Sequence, residues 1–213
     1  IDLGHKPKAY VDAREQKKIE KEILELLTKH NIPLYAKSEI EGCDGKNQVQ
    51  KVSIRIKKNE IIKIKTSMLC ISGGFNPDIH LFTQSKGLIK WDDSLLTFKP
   101  DKSFQNTITL GSVSGNFSYE KLVSEINKKL RFLQGVNHLE STFDINGPKK
   151  FQIKELWETK HAKKSLWSKS FIDLQNDVTT KDIKQAVLEG FNRIEHLKRF
   201  TTNSMGTDQG KIS

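Results

Sequence analysis

Short strand-like apolar runs alternate along this chain with stretches whose apolar positions recur at helical spacing. KAYVD, from Lys8 to Asp12, reads as a short apolar strand closing on an acid, and Arg14 to His30 sets Ile19, Ile23, Leu26 and Leu27 on one helical face. Together they predict a strand and helix of a doubly wound unit. Pro33 to Ser38 follows, then the strand-like VSIRI around Val52 to Ile56, the polar turn KKNE from Lys57 and the run EIIKIK. The apolar SMLCIS, Ser67 to Ser72, is expected as a buried strand, broken by Gly73 and Gly74 ahead of FNPDIHLF.

A further strand is expected at Thr107 to Leu110. Gly111 and Gly115 frame a tight turn after it, and Tyr119, Leu122, Val123, Ile126, Leu130 and Leu133 then line one face of a helix. A Gly-x-x-x-Gly turn between strand and helix lets backbone amides and the helix N-terminus approach a pyrophosphate. The same glycines also serve close helix-to-strand packing, and the pattern alone leaves both readings open.

The C-terminal stretch predicts a compact helical hairpin. Thr179, with Asp182 three residues on, is a carboxylate variant of the capping box, so a helix is expected to start there, with Ile183, Ala186 and Val187 on one face and Gly190 ending it. Asn192 with Glu195 repeats the N-cap pattern. A second helix carries Ile194, Leu197 and Lys198 and gives way to the polar run TTNSMGTDQGK.

Length and composition change this picture only modestly. The 213 residues suffice for one good core or two modest domains. No apolar run is long enough to span a bilayer and no signal peptide is evident, so a cytoplasmic setting without membrane attachment is expected. The net charge of +10 raises a nucleic-acid role. Against it, only five of the 36 basic residues are arginine (Arg14, Arg55, Arg131, Arg193 and Arg199), whereas phosphate and base readout leans on arginine forks, and the lysines are spread along the chain. No nucleic-acid partner is expected. The six histidines show no metal-ligand spacing, and no catalytic residue is assigned. Trp91, Trp157 and Trp167 read as packing or interface anchors, and Phe151 to Ser170 as a partly exposed connector that docks on a partner.

The wording DxQNDVT, AxxEGF, EHxKRxTT and TDQGK, together with SGGFNPDIHLFTQSKGLIKWDD, resembles the alpha subunits of heterotetrameric sarcosine oxidases. The helical hairpin is also similar to the [2Fe-2S] modules of multi-subunit amine dehydrogenases, where cysteines occupy the positions held here by Asp173, Gln175, Asp208 and Ser213. Clusters need thiolates, and Cys43 and Cys70 lie far from this segment, so no iron–sulfur cluster and no metal are expected.

The resemblance implies an α/β fold: a partial region of two dinucleotide-binding domains, of the flavoprotein disulfide reductase type, over residues 1–134. A connector follows at 135–170, then a small all-α module at 171–213. It implies that sarcosine is oxidatively demethylated at an FAD on the beta subunit, that electrons reach an FMN at the subunit interface, and that oxygen becomes hydrogen peroxide. Tetrahydrofolate would take the one-carbon unit on a C-terminal domain of alpha, NAD would be bound by alpha, and the beta, gamma and delta subunits would be partners. On this view the chain is a fragment, inactive alone. It opens without methionine, its G-x-G-x-x-G fingerprint is expected upstream, and the folate domain would follow Ser213.

Leu110, Gly111, Ser112, Gly115 and Phe117 are then the candidate NAD contacts. Flavin-binding relatives place an acid after the first glycine, whereas Ser112 stands here, which fits NAD rather than FAD. Asp12 is a candidate for the ribose diol, or else the closing acid of a structural copy that holds no nucleotide. Arg199, Thr201, Thr202 and Lys211 are candidate contacts to a flavin phosphate or the beta subunit, although Lys198 and Arg199 also suit an ordinary helix C-terminus. The corresponding subunit of another amine, opine or proline oxidoreductase, or a non-catalytic assembly scaffold, remain the alternatives.

Overall fold

The computed structural model describes residues 4–57, 60–130, 153–159 and 170–211. The chain divides into two compact units, Ile1–Trp157 and Glu158–Ser213. Leu133, the greater part of the connector and Ser213 lie outside the described residues.

The first unit opens with strand β1 (Tyr10–Asp12), helix α1 (Lys21–Lys29) and strand β2 (Leu34–Ala36), and the two strands pair in parallel from Tyr10 opposite Leu34 to Asp12 opposite Ala36. The expected strand and helix are present, joined by a second parallel strand, with a later helix start. Arg14 donates to the carboxylates of Asp12 and Glu20, which holds the chain between them in an extended path and a short 3-10 turn at Gln16–Lys18. Helix formation therefore begins only after Glu20. Ile19, Leu27 and Ile32 are buried, while Leu26, expected on the same face, is 44% exposed.

Strands β3 (Glu39–Asp44), β4 (Lys51–Lys57) and β5 (Glu60–Lys65) form an antiparallel sheet. Alternation along β4 turns Val52 and Ile54 into the core. Arg55 ties the sheet across its strands, reaching Glu41 at 2.8 Å and Glu39 at 3.3 Å. A short helix α2 (His80–Gln84) precedes an antiparallel hairpin of β6 (Leu88–Asp92) and β7 (Thr97–Lys102), in which Pro100 pairs with Ile89 beside a register shift. That is where a strand tolerates a residue without an N–H. A 3-10 turn at Gly111–Ser114 leads into helix α3 (Tyr119–Leu130).

Two expected strands are absent. SMLCIS is irregular and open, with Met68 71% and Ile71 79% exposed, and Thr107 to Leu110 joins no ladder. Their apolar character suits a central parallel strand buried on both faces, but such a strand needs hydrogen-bonded neighbours, and none is present among the described residues. The sheet content is accordingly one parallel pair and antiparallel elements.

The second unit is not all-α. A small hairpin of β8 (Phe171–Asp173) and β9 (Val178–Thr179) precedes helices α4 (Thr180–Leu188) and α5 (Ile194–Thr201). The capping box forms as expected: Asp182 accepts from the amide of Thr179 at 2.8 Å and from its hydroxyl at 2.6 Å. Gly190 adopts φ +94 after α4, a conformation costly for a side chain. The residue capping α5 is Arg193 rather than Asn192, and its side chain makes no capping bond. Val178, Ala186 and Leu197 form the small core, Phe191 stacks on Phe200 at 4.4 Å, and Val187 is 46% exposed.

Candidate functional site

Within the first unit, the expected nucleotide contacts lie where extended chain turns into α3. Leu110 is extended, Gly111 has φ +65, and Gly115 closes the 3-10 turn at φ +79. A Cβ at Gly111 would lie 3.0 Å from Leu122 Cδ1, and one at Gly115 would lie 2.7 Å from Leu95 Cδ1. Both glycines are therefore required by backbone and packing, whatever the turn binds. Ser112 is exposed, and the Phe117 ring lies 5.7 Å from that of Phe75, which brings the GGFNP segment against the turn.

The donors of this turn already hold an anion. Glu125, on α3, accepts from the Gly111 amide at 3.1 Å and from the Asn116 side-chain amide at 2.9 Å, and pairs with Lys129 at 3.2 Å. Lys129 also donates to the Thr109 carbonyl at 2.6 Å. Burial pushes the Glu125 carboxyl upward, but the bonds from Asn116, Gly111 and Lys129 outweigh it and hold the group below its ordinary range. Backbone N–H, side-chain amide and ammonium form the donor set of a phosphate site, and here they converge on a carboxylate. Sequence reasoning missed Glu125, Asn116 and Lys129. The available signal was the i,i+4 acid–base pair on the helix that follows the glycine turn.

Asp12 stands elsewhere, at the end of β1. Its carboxylate accepts from the Arg14 amide at 2.7 Å and from the guanidinium at 2.9 Å, with its side chain only 10% exposed. Burial raises its pKa, the Arg14 bonds outweigh that effect, and the net shift is downward. Its acceptor capacity is thus directed at Arg14, which also bridges to Glu20 at 3.0 Å.

In the second unit, three of the four positions matching cluster cysteines are drawn together by hydrogen bonds. Asp173, fully buried, accepts from the amides of Gln175 (2.8 Å), Asn176 (3.1 Å) and Ser204 (2.8 Å), and from the Asn176 side chain (3.2 Å). Gln175 Oε1 accepts from Asp208 N at 3.2 Å and from the Thr207 hydroxyl at 3.3 Å. Burial raises the Asp173 pKa, and the backbone amides pull it below the ordinary value. The hairpin turn and the loop after α5 are thus laced by an acid and an amide. That loop holds Thr202, Ser204 and Gln209 in the left-handed region, at φ 61, 59 and 55.

The expected phosphate contacts fare differently. The Thr201 hydroxyl donates to Leu197 O at 2.8 Å and that of Thr202 to Thr201 O at 2.6 Å, so both are spent on the backbone. Thr201 lines a cleft of about 290 Å³ whose other walls include Asp177, Asp182 and Phe200. The two carboxylates make the cleft beside Thr201 unfavourable for a further anion. Arg199 and Lys211 are exposed.

Residues 167–213 match the family model described as the sarcosine oxidase A3 domain. Over 157 residues, 71% of this chain, the sequence is 27% identical to "Sarcosine oxidase subunit alpha" of Corynebacterium sp. (strain P-1), of which it covers 16%. Over 161 residues, 70% of this chain, it is 32% identical to the protein of the same name from Rhizobium meliloti (strain 1021), of which it covers 15%. The chain thus spans about a sixth of the length of these relatives. Among solved structures, L-proline dehydrogenase from P. horikoshii superposes with a TM-score of 0.56 at 18% identity, over 94% of this chain and 41% of that one. That likeness is one of fold.

Proposed function

We propose that this chain is a segment of the alpha subunit of a multi-subunit sarcosine oxidase, contributing to its NAD site and carrying a cluster-free helical module near the interfacial FMN. The observation that carries this reading is the conjunction of the A3 match over residues 167–213 with the similarity to named alpha subunits over most of the chain. The Asp173–Gln175 lacing supports it, because it gives the module a way to hold its two loops without metal.

The flavins of such an enzyme supply the electron transfer from amine to oxygen. The residues of this chain bind and position. Gly111 N–H, Asn116 and Lys129 suit one phosphate of a dinucleotide, and Gly115 lets the chain turn sharply into α3 beneath it. Arg199 and Lys211 offer positive charge toward the beta subunit. The tetrahydrofolate domain and the FAD site lie in other parts of the assembly on this reading.

The test is made on the complete oxidase containing this segment. Sarcosine-dependent oxygen uptake with stoichiometric hydrogen peroxide is expected, together with NAD released on acid denaturation. Turnover of proline or an opine in place of sarcosine would replace this reading with that of a related oxidoreductase.

A further inference from the structure

Three donors from three different places, the Gly111 amide, the Asn116 side chain and Lys129, meet on the one carboxylate of Glu125, whose side chain is 16% exposed. A site built to hold an anion cannot hold two at the same donors, because the like charges repel and only one can take each hydrogen bond. From this geometry we infer that Glu125 is an internal competitor for the anion-binding turn, a specificity-determining residue that a phosphate must displace. This rests on the reading of the turn as a nucleotide site and adds what controls its occupancy.

The arrangement suits displacement. Glu125 reaches the turn only through its carboxylate, so a rotation about its side-chain bonds removes that group without moving α3. Lys129, one turn further on, bonds both Glu125 and the Thr109 carbonyl, so it stays anchored at the turn when the carboxylate leaves and remains available to the incoming phosphate. The Asn116 backbone is fixed at the turn, since its N–H bonds to Gly111 O at 2.9 Å, which keeps its side-chain amide beside Glu125. Two of the three donors, the Gly111 amide and Lys129, are therefore held independently of the occupant. Such a turn selects ligands able to repay displacement of a carboxylate, a pyrophosphate diester above a weakly charged metabolite.

Isothermal titration of the full chain with NAD, and separately with inorganic pyrophosphate, tests this in the wild type and in Glu125→Gln. The substitution keeps the shape and removes the competing charge, so both ligands are expected to bind about tenfold more tightly. Equal or weaker binding of NAD to Glu125→Gln would overturn the competitor role and leave the nucleotide reading standing. Binding of neither ligand to either protein would overturn both. A measurement on the wild type alone guards against a variant that fails to fold: saturating NAD should move the amide resonances of Gly111 and of the Asn116 side chain, and resonances unmoved at saturation would overturn the inference.

Discussion

Substitution of Gly206 by alanine should destabilise the C-terminal module only as long as Gln175 is present. A Cβ at Gly206 would lie 2.1 Å from Gln175 Oε1 and 3.1 Å from both Cβ and Cδ of that side chain. The glutamine must then swing away, releasing Asp208 N and the Thr207 hydroxyl, bonds of 3.2 and 3.3 Å at an exposed site. At the low end of the usual range these two bonds contribute roughly 1–2 kcal/mol together. Against this stands a gain of about 0.4–1 kcal/mol, because alanine narrows the unfolded ensemble where the native backbone is outside the left-handed region. The net expectation is a loss of roughly 0–1.5 kcal/mol. In a Gln175→Ala background the same change should be neutral or mildly stabilising, so the cycle should yield a coupling of roughly 1–2 kcal/mol. Denaturant unfolding of the full chain supplies the energies, and amide exchange at Asp208 supplies the local readout: faster in Gly206→Ala, equally fast in Gln175→Ala. Equal destabilisation by Gly206→Ala in both backgrounds would refute the reasoning.

Asp173 has a folded-state pKa below its ordinary value, so its contribution to stability is complete above the unfolded value and is lost as pH falls through the folded one. Asp173→Asn should therefore lower the urea midpoint at neutral pH, with the gap to wild type closing below about pH 4; a gap independent of pH would contradict the assignment. Gly87→Ala should destabilise the first unit by roughly 1–3 kcal/mol, because the new Cβ would sit 2.4–2.6 Å from ring atoms of buried Phe82. Chemical denaturation followed by amide exchange around β6 would show it, and an unchanged unfolding energy would show that the ring relocates freely. Protein produced with excess iron and sulfide should contain neither in stoichiometric amount, as Asp173 and Gln175 stand where thiolates would be needed; colorimetric assay of both decides it.

What the sequence disclosed was mostly local. The capping box of Thr179 and Asp182 involves residues three apart, and strand β1 and helix α1 follow from apolar spacing over a few turns. Misreadings came where a distant partner decides the outcome. SMLCIS has the composition of a central strand but finds no ladder, so it stays open. The start of α1 moved because Arg14 binds two carboxylates, a choice that hydrophobic periodicity does not register. Strand β3 was hidden by its polar residues and by Gly42 at a register shift, and the β6–β7 hairpin by Pro100, which demotes a strand pattern unless a bulge receives it. In the site regions, Asp173 reaches Ser204 across 31 positions, and no periodicity in either segment announces that bond.

Both units place a carboxylate on a set of amide donors, and the differences between the two decide what each can do. Asp173 is fully buried, three of its partners are backbone amides, and among the described residues no cation shares the site. Removing that side chain leaves amides of two separate loops without an acceptor, and with it the left-handed residues of the second loop lose their tether. Such an anion is structural and permanent. Glu125 has one backbone amide, one side-chain amide and a lysine that itself holds a second acceptor. The Gly111 amide and Lys129 keep their places without it, the first in the 3-10 turn and the second through the Thr109 carbonyl. The same chemistry therefore serves as a fastener in one unit and as a replaceable occupant in the other. The number of backbone amides tied to each acid, and whether those amides have another anchor, separates the two.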